Sequence, residues 1–465
     1  MAGRAFHDEH RRGQVVVNPP QSPVTVADRV VASLYRRAES IAAKVIAPRS
    51  PAQDLTPVID RLLTSRLTGF PIMLLTLGAV LWVTVVGANY PSQVLGRLLF
   101  DLQGWLSGAM TAAGAPAWLH GVLVSGVYRT LAWVVSVMLP PMAIFFPCFT
   151  LLEDLGYLPR VAFNLDAAFK WAGACGKQSL TMSMGFGCNA AGVIACRIID
   201  SPRERLIAIL TNNFVICNGR FPTLIALSTV FVSQVVQTTI GAGAAAALVV
   251  VGIVLTGIVM TFGVSWLLSR TLLRGVPSFY TLELPPFRWP QVGRVLIRSV
   301  IDRTVFVLLR AVAVAAPAGA LVWVLGNTVI EGHSVIAHLA GWLGPLGRLM
   351  GLDGFVLVAF ILGLPANEIV LPILVMSYLG SGMMVEMDSL ESLGILLAAH
   401  GWSWATALSY MLFSLLHWPC ATTLLTVWKE TRSSRWTFAA AAIPTAVAVI
   451  VCTFVAGLVR LTGNA

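Results

Sequence analysis

Long apolar runs, separated by short polar segments, follow one another along most of the 465-residue chain. A helix that crosses the hydrocarbon core of a bilayer needs about 20 consecutive, mostly apolar residues. Runs without a charged residue include 67–96, 130–152, 178–196, 221–269, 311–330, 354–367, 369–385, 392–428 and 436–459. The run 221–269 is long enough for two helices, with a turn expected at 237–243. The pattern predicts an all-α polytopic membrane protein with seven full crossings, two re-entrant segments and an interfacial helix at 98–110.

The composition excludes a soluble protein. Hydrophobic residues make up 57% of the chain and charged residues 11%, whereas soluble domains carry about 25% charged residues. The polar N-terminal stretch has no apolar core of a signal peptide. The seven cysteines lie in or beside apolar runs without a Cys-x-x-Cys pair, which argues against a disulfide framework or a zinc knuckle.

The distribution of basic residues predicts the orientation. Ten Lys and Arg residues precede Leu67, seven lie in 270–310 and three lie in 429–435, so these regions are placed in the cytoplasm. The acidic segment 386–391 is placed outside. The net charge of +10 forms no basic patch interleaved with aromatic residues, which excludes nucleic-acid binding. We expect a multi-pass protein of the cell membrane with a cytoplasmic N-terminus.

The same features divide the chain into four parts. They are a cytoplasmic N-terminal segment (1–66), a first membrane half (67–269) with a broken unit at about 178–237, a cytoplasmic amphipathic loop (270–310), and a second membrane half (311–465) with a broken unit at about 354–428.

The two broken units resemble each other. Gly185 to Asn189 and Gly363 to Asn367 both read Gly-x-x-x-Asn, and each is followed by a polar segment that contains cysteine. Three crossings separate the units, so they should have opposite orientations. Paired discontinuous helices in an inverted repeat indicate a transport site near the bilayer midplane.

Polar groups in these breaks are the candidate ligands. A carboxylate such as Glu368 costs about 2.5–3.5 kcal/mol inside a membrane helix, so it should face a cavity, a partner or a cation; capping a half-helix or pairing with an arginine is the alternative. Cys188 and Cys420 could each be small apolar filler. Together with Asn189, Cys217 and Glu368 they form a mixed sulfur and oxygen set that suits Fe²⁺ better than Mg²⁺ or Ca²⁺.

Three histidines have two interpretations each. His417 is either a ligand or a buried, hydrogen-bonded side chain, and the second is favoured. His333 and His338 lie in a predicted external loop, where they are either metal-collecting groups or ordinary loop residues. No nucleotide site is expected, because Gly176-Lys177 is followed by Gln178 and lacks the leading glycine of a phosphate-binding loop. The sequence therefore predicts a transporter without a bound cofactor rather than an enzyme.

Several segments, in order, resemble the membrane part of the ferrous iron transport protein B family. They are 57–71 entering the first crossing, 151–163, Gly176-Lys177 leading into 185–189, 282–288, and Pro419-Cys420 followed by 429–431. The likeness runs from about Ala27 to the C-terminus.

This resemblance implies a permease with two gate repeats that imports Fe²⁺, driven or gated by a GTP-binding domain. Cys188 and Cys420 occupy the family's proposed metal-pathway positions, Asn189 matches at the first gate, and Glu368 stands at the second. The chain is expected to begin in the linker helix Asp28–Ile46 that follows the GTPase domain. The implied partners are a separate GTP-binding protein and small accessory iron-transport proteins, and a homo-oligomer is compatible with this pattern.

Two departures from the family pattern leave the substrate open among Fe²⁺, Mn²⁺, Zn²⁺ and Co²⁺. Residues 190–192 read Ala-Ala-Gly where the family commonly has Val-Pro-Ala, and Asn367 replaces the usual lysine. One rival function is a carrier of an organic solute such as a nucleoside. It would use the asparagines Asn189, Asn212, Asn213 and Asn218. The other rival is a non-transporting membrane anchor for a GTPase, with 270–310 as its docking loop.

Overall fold

A computed structural model describes residues 56–462, except 66, 236–238, 276–286, 288–289, 386 and 388, together with residues 33, 36–41 and 44–45. The chain divides into two units, residues 1–58 and 59–465. The described positions of the first unit are helical. Much of the predicted linker helix Asp28–Ile46 lies outside the described residues.

The first half of the membrane part contains nine helices among its described residues. They are α1 (Thr56–Leu63), α2 (Gly69–Ala112), α3 (Ala117–Asp154), α4 (Tyr157–Trp171), α5 (Lys177–Gly187), α6 (Asn189–Ala195), α7 (Pro202–Thr211), α8 (Phe221–Val235) and α9 (Thr239–Arg270). Single 3₁₀ turns occur at Cys196–Ile198, Asn212–Phe214 and Asn218–Arg220.

The second half contains nine further helices and one β-hairpin among its described residues. The helices are α10 (Val292–Arg298), α11 (Phe306–Asn327), α12 (Val335–Leu349), α13 (Gly354–Leu362), α14 (Val370–Leu379), α15 (Leu390–Ala399), α16 (Trp404–Leu416), α17 (Ala421–Thr431) and α18 (Ser434–Leu461). The antiparallel strands β1 (Val329–Ile330) and β2 (His333–Ser334) follow α11. A 3₁₀ turn, Asn367–Ile369, precedes α14.

Seven helical segments of the described residues are long and apolar enough to cross a membrane, which is the predicted number. They are Gly69–Ala112, Ala117–Asp154, Pro202–Val232, Ala245–Arg270, Val307–Asn327, Trp404–Thr431 and Ser434–Leu461. The all-α polytopic fold is thereby confirmed.

Three expected boundaries differ from the structure. The prediction of a separate interfacial helix at 98–110 is wrong, because α2 continues without a break for 44 residues, through Pro91 and past Arg97. The run 392–428 is divided among α15, α16 and α17. Helix α9 begins at Thr239, inside the predicted turn 237–243, of which residues 237 and 238 lie outside the described part.

Two pairs of short helices form hairpins. At the base of the first, α5–α6, Lys177 Nζ lies 2.6 Å from Asp200 Oδ2, and this ammonium holds the pKa of the Asp200 carboxyl below its usual range. At the base of the second, α13–α14, the Tyr378 hydroxyl donates to the Asp353 carboxylate. Both ends of each pair therefore lie at the same level, as a re-entrant segment requires.

Two segments of the described chain are π-helical. One, Gly121–Tyr128, forms the start of α3, and the other, Ser299–Val305, leads directly into α11. Here α3 and α11 approach closely: a Cβ added to Gly319 would lie 2.5 Å from the Gly126 carbonyl oxygen. Only glycine permits this backbone approach, which fixes α3 and α11 against each other.

Candidate metal site

A cavity of ≈ 30 Å³ lies where the helix breaks meet. Its lining includes all five predicted site residues: Cys188, Asn189, Cys217, Glu368 and Cys420. Helices α3 and α11 complete the wall with Met138, Met142, Val307 and Ala311. We call this space the inner cavity. The sequence therefore located residues from four separate segments that lie around one space.

The two Gly-x-x-x-Asn segments have the same backbone conformation at their breaks. Cys188 (φ −156°, ψ 126°) separates α5 from α6, and Ala366 (φ −152°, ψ 127°) precedes the 3₁₀ turn before α14. Each extended residue is followed directly by the asparagine, Asn189 or Asn367. Both hairpin tips thus present unwound backbone to the inner cavity, where it is not exposed to lipid.

Cys217 and Cys420 also lie at helix starts. Cys217 is extended (φ −84°, ψ 162°) ahead of the turn Asn218–Arg220, and Cys420 is extended (φ −60°, ψ 157°) ahead of α17. All three predicted thiols therefore occupy breaks in helical segments, as the sequence pattern indicated.

Several contacts connect the donor groups. Cys420 Sγ lies 3.3 Å from Thr423 Oγ1, and Asn367 Nδ2 lies 3.8 Å from Cys217 Sγ. The buried Thr422 hydroxyl, which also lines the cavity, has no hydrogen-bond partner among the residues that the structure describes. Cys420 lines the same cavity as Cys188, Cys217 and Glu368. Sulfur and oxygen donors from both halves are therefore neighbours.

These donors do not form a closed coordination sphere. Among the described residues, no three His, Cys, Asp or Glu side chains are placed to hold a metal ion together. Any ion in the inner cavity would need water, amide, hydroxyl or backbone oxygen as well. An incomplete set of this kind suits a passing ion better than a permanently bound one.

Arg220 is the charged residue that the sequence reasoning missed. Its side chain is buried (1% exposed) and donates to the carbonyl oxygens of Leu415 at 2.9 Å and Trp418 at 3.4 Å. It interacts electrostatically with Cys217, Cys420 and Glu368. The sequence did contain a signal for Arg220. A charged residue beside an apolar run indicates a functional site, and this applies to Arg220 as well as to Glu368.

The asparagine amides are engaged within the protein. Asn212 Nδ2 donates to the Asn189 carbonyl at 2.9 Å, and Asn213 Nδ2 donates to the His417 carbonyl at 2.5 Å. His417 is buried, with Nδ1 at 3.0 Å from the Phe413 carbonyl, which confirms the favoured interpretation. These groups hold the breaks in place rather than line the inner cavity.

A second cavity of ≈ 420 Å³ adjoins the first. We call it the outer cavity. It shares Gly219 and Glu368 with the inner cavity and is otherwise lined by residues of α3, α8 and α14 and by residues 385, 387, 389, 390 and 393. The Glu368 carboxylate therefore stands at the junction between the two spaces.

Comparisons with known families agree with this architecture. A family profile described as Gate, nucleoside recognition, matches residues 135–232 and 308–434. A profile described as ferrous iron transport protein B C terminus matches residues 250–302. Together these matches cover more than half of the chain.

Curated relatives match nearly the whole chain. A protein of Synechocystis named Fe(2+) transporter FeoB is 29% identical over 95% of this chain and 68% of its own length. A Staphylococcus aureus protein of the same name is 26% identical over 87% of this chain and 59% of its own length. A Porphyromonas gingivalis relative, 25% identical over 83% of this chain and 49% of its own length, is named as a fusion of Fe(2+) transport protein A with FeoB. No solved structure matches significantly.

Proposed function

The chain belongs to the ferrous iron transport protein B family, and from this premise we propose that it carries Fe²⁺ across the cell membrane into the cytoplasm. The observation that carries the proposal is the inner cavity, where Cys188, Cys217 and Cys420 meet Glu368 and Asn189. Thiolate, carboxylate and amide donors suit Fe²⁺, whereas Mg²⁺ and Ca²⁺ prefer oxygen alone.

The two cavities suggest the route. An ion in the outer cavity first meets Glu368, which also borders the inner cavity. The carboxylate compensates part of the hydration that the ion loses, and the thiols of the hairpin tips follow. Rocking of one half against the other then opens the inner cavity to the cytoplasm, the mechanism typical of transporters with broken helices. Since thiols must lose protons to bind metal, uptake should weaken in acid.

The proposal includes orientation and partners. The N-terminus and segment 270–310 face the cytoplasm, as their basic residues indicate. The chain carries no nucleotide site of its own and works with a separate GTP-binding protein and small accessory iron-transport proteins. The fusion of transport protein A to one relative supports the accessory partner. The chain spans 59% of the length of the Staphylococcus relative.

Radiolabelled iron uptake in a host without its own iron transport tests the proposal. Cys188→Ser and Cys420→Ser should each lower the uptake rate about tenfold or more, as loss of a metal-directed group does. Cys452→Ser is the matched control, since Cys452 is a buried cysteine of α18 outside both cavities. If both cavity variants transport at the parental rate while membrane levels are equal, the coordinating role is wrong.

One observation favours the alternative function of a nucleoside carrier: the Gate profile is described as nucleoside recognition. It would need asparagine amides that are free to bind a solute. Asn212 and Asn213 instead donate their amide N–H groups to backbone carbonyls. Labelled nucleoside accumulating in vesicles that fail to take up iron would reverse this assignment.

A further inference from the structure

A tight β-hairpin carries a pair of histidines at one end of the second half. Strands β1 and β2 are joined by Glu331 and Gly332, whose φ angles of 51° and 84° are both positive. Such two-residue turns match the twist of antiparallel strands and hold them in one register. His333 lies on β2 and His338 in the first helical turns of α12, and both are exposed.

The two imidazole rings are nearly placed to share one metal ion. Their centroids are 6.1 Å apart, and their planes make an angle of 64°. With a metal–nitrogen distance of about 2.1 Å, two imidazoles on one ion have centroids about 5 Å apart. The rings therefore need to approach by about 1 Å, a change that exposed side chains achieve by small rotations between rotamers.

The hairpin lies next to the loop that lines the outer cavity. Asn327 Nδ2, at the end of α11, donates to the Gly382 carbonyl at 2.6 Å. A few residues further along this loop, Val385, Met387 and Ser389 line the outer cavity. In the sequence the same segment carries the acidic residues at 386, 388 and 391. An ion released from the histidines would therefore lie beside the loop that lines the outer cavity, and this cavity leads to Glu368.

We propose that His333 and His338 form a weak capture site for a divalent transition-metal ion at the mouth of the outer cavity. Imidazole selects such ions over Mg²⁺ and Ca²⁺. Two protein ligands, completed by water, give an affinity low enough for the ion to move on. The direction of delivery rests on the proposed function, whereas ion binding by the pair does not.

Equilibrium binding of Co²⁺ to the full chain in lipid nanodiscs, under reducing conditions, tests the capture site. The double variant His333→Ala/His338→Ala should lose one weak Co²⁺ equivalent. His400→Ala is the matched control, an exposed histidine whose ring stacks on Tyr378. In uptake assays the double variant should raise the apparent KM for Fe²⁺ about threefold or more and leave the maximal rate unchanged, since only capture is affected.

The outcomes separate this proposal from the proposed function. Loss of the Co²⁺ equivalent in the double variant, but not in Cys188→Ser or His400→Ala, supports the capture site even if the chain takes up no iron. An unchanged number and affinity of Co²⁺ equivalents in the double variant overturns it. An unchanged apparent KM for Fe²⁺, or a lower maximal rate without a rise in KM, would overturn the delivery role.

Discussion

At the scale of single residues, Gly219 leaves room for the Glu368 carboxylate. A Cβ at position 219 would lie 2.0 Å from Glu368 Oε1. The atom in the way is the end of a flexible side chain, so the carboxylate can move while the backbone stays. The position of the Glu368 carboxylate between the two cavities thus depends on residue 219 being glycine, which has no methyl group.

Gly219→Ala should therefore lower Fe²⁺ uptake with little loss of stability. We expect about a tenfold fall in uptake, because a carboxylate moved by an ångström or more no longer meets the ion. Thermal unfolding of the purified protein should change little. Gly252→Ala in α9, where nothing lies within 4 Å of the added methyl group, is the control, and equal uptake by the two variants would contradict the assignment.

Arg220→Gln should destabilise the protein. The guanidinium donates to the Leu415 carbonyl and interacts electrostatically with Glu368, and loss of a buried charge partner costs about 3–5 kcal/mol. The apparent melting temperature in detergent should fall, and Arg220→Lys should restore only part of it because lysine cannot replace the fork of donors. A melting temperature equal to that of the parent would show that Arg220 is not structural.

Sequence reasoning at this scale located the helix breaks but not every group in them. Cys188 and Cys420 stood out because cysteine recurs in interrupted apolar runs. Thr422 did not, since a hydroxyl in an apolar run has many ordinary structural uses, and Asn367 stood out as part of the repeated motif but not as a neighbour of a thiol. Only the fold shows that Asn367 approaches Cys217.

At the scale of elements, the second hairpin depends on a close approach between α12 and α13. These helices are bent by 110° relative to each other, and a Cβ at Gly354 would lie 1.8 Å from the Ala340 carbonyl oxygen. Here the obstacle is backbone, so neither helix can yield locally. The glycine therefore sets the angle at which α13 approaches the inner cavity.

Gly354→Ala should destabilise the protein by about 1–3 kcal/mol, the usual cost of overpacking, and reduce the folded yield. Gly341→Ala in α12 is the matched control, because an added methyl group there has nothing within 4 Å. Thermal unfolding of both variants measures the difference. Equal melting temperatures would show that the close approach is not needed.

Element boundaries were harder to predict than the existence of elements. The seven crossings follow from hydrophobicity alone, as the bilayer requires. The length of α2 does not follow from hydrophobicity, because charged residues such as Arg97 and Asp101 can lie within a helix as readily as at its end. The division at His400–Ser403 likewise depends on the positive φ of Gly401, which hydrophobicity does not reveal.

At the scale of the whole molecule, several hydrogen bonds between described residues join the two halves. Arg197 binds Glu430 through two hydrogen bonds of 2.8 and 2.7 Å, Asn213 donates to His417 and Arg220 to Leu415. The repeat pattern predicted that the two broken units would meet. Opposite orientation of the two units stays a prediction.

Binding of Fe²⁺ between the two halves should stabilise the molecule as a whole. At 100 times the dissociation constant, one site contributes about 2.7 kcal/mol. The melting temperature should rise with Fe²⁺ under anaerobic, reducing conditions, and Cys188→Ser/Cys420→Ser should abolish the rise. Mg²⁺ is the control ion, and a rise of the same size with Mg²⁺ would contradict a site with soft ligands.

The π-helical turns have a consequence for the side walls of the pathway. Met138 and Met142 on α3, and Ala311 on α11, each follow such a turn in the chain. A π turn holds one surplus residue relative to an α turn. The rotational position of Met138 and Met142 about the axis of α3 therefore depends on this surplus residue: an α-helical turn in its place would rotate the following part of the helix by about 100°. The π turns thus set which side chains of α3 and α11 face the inner cavity.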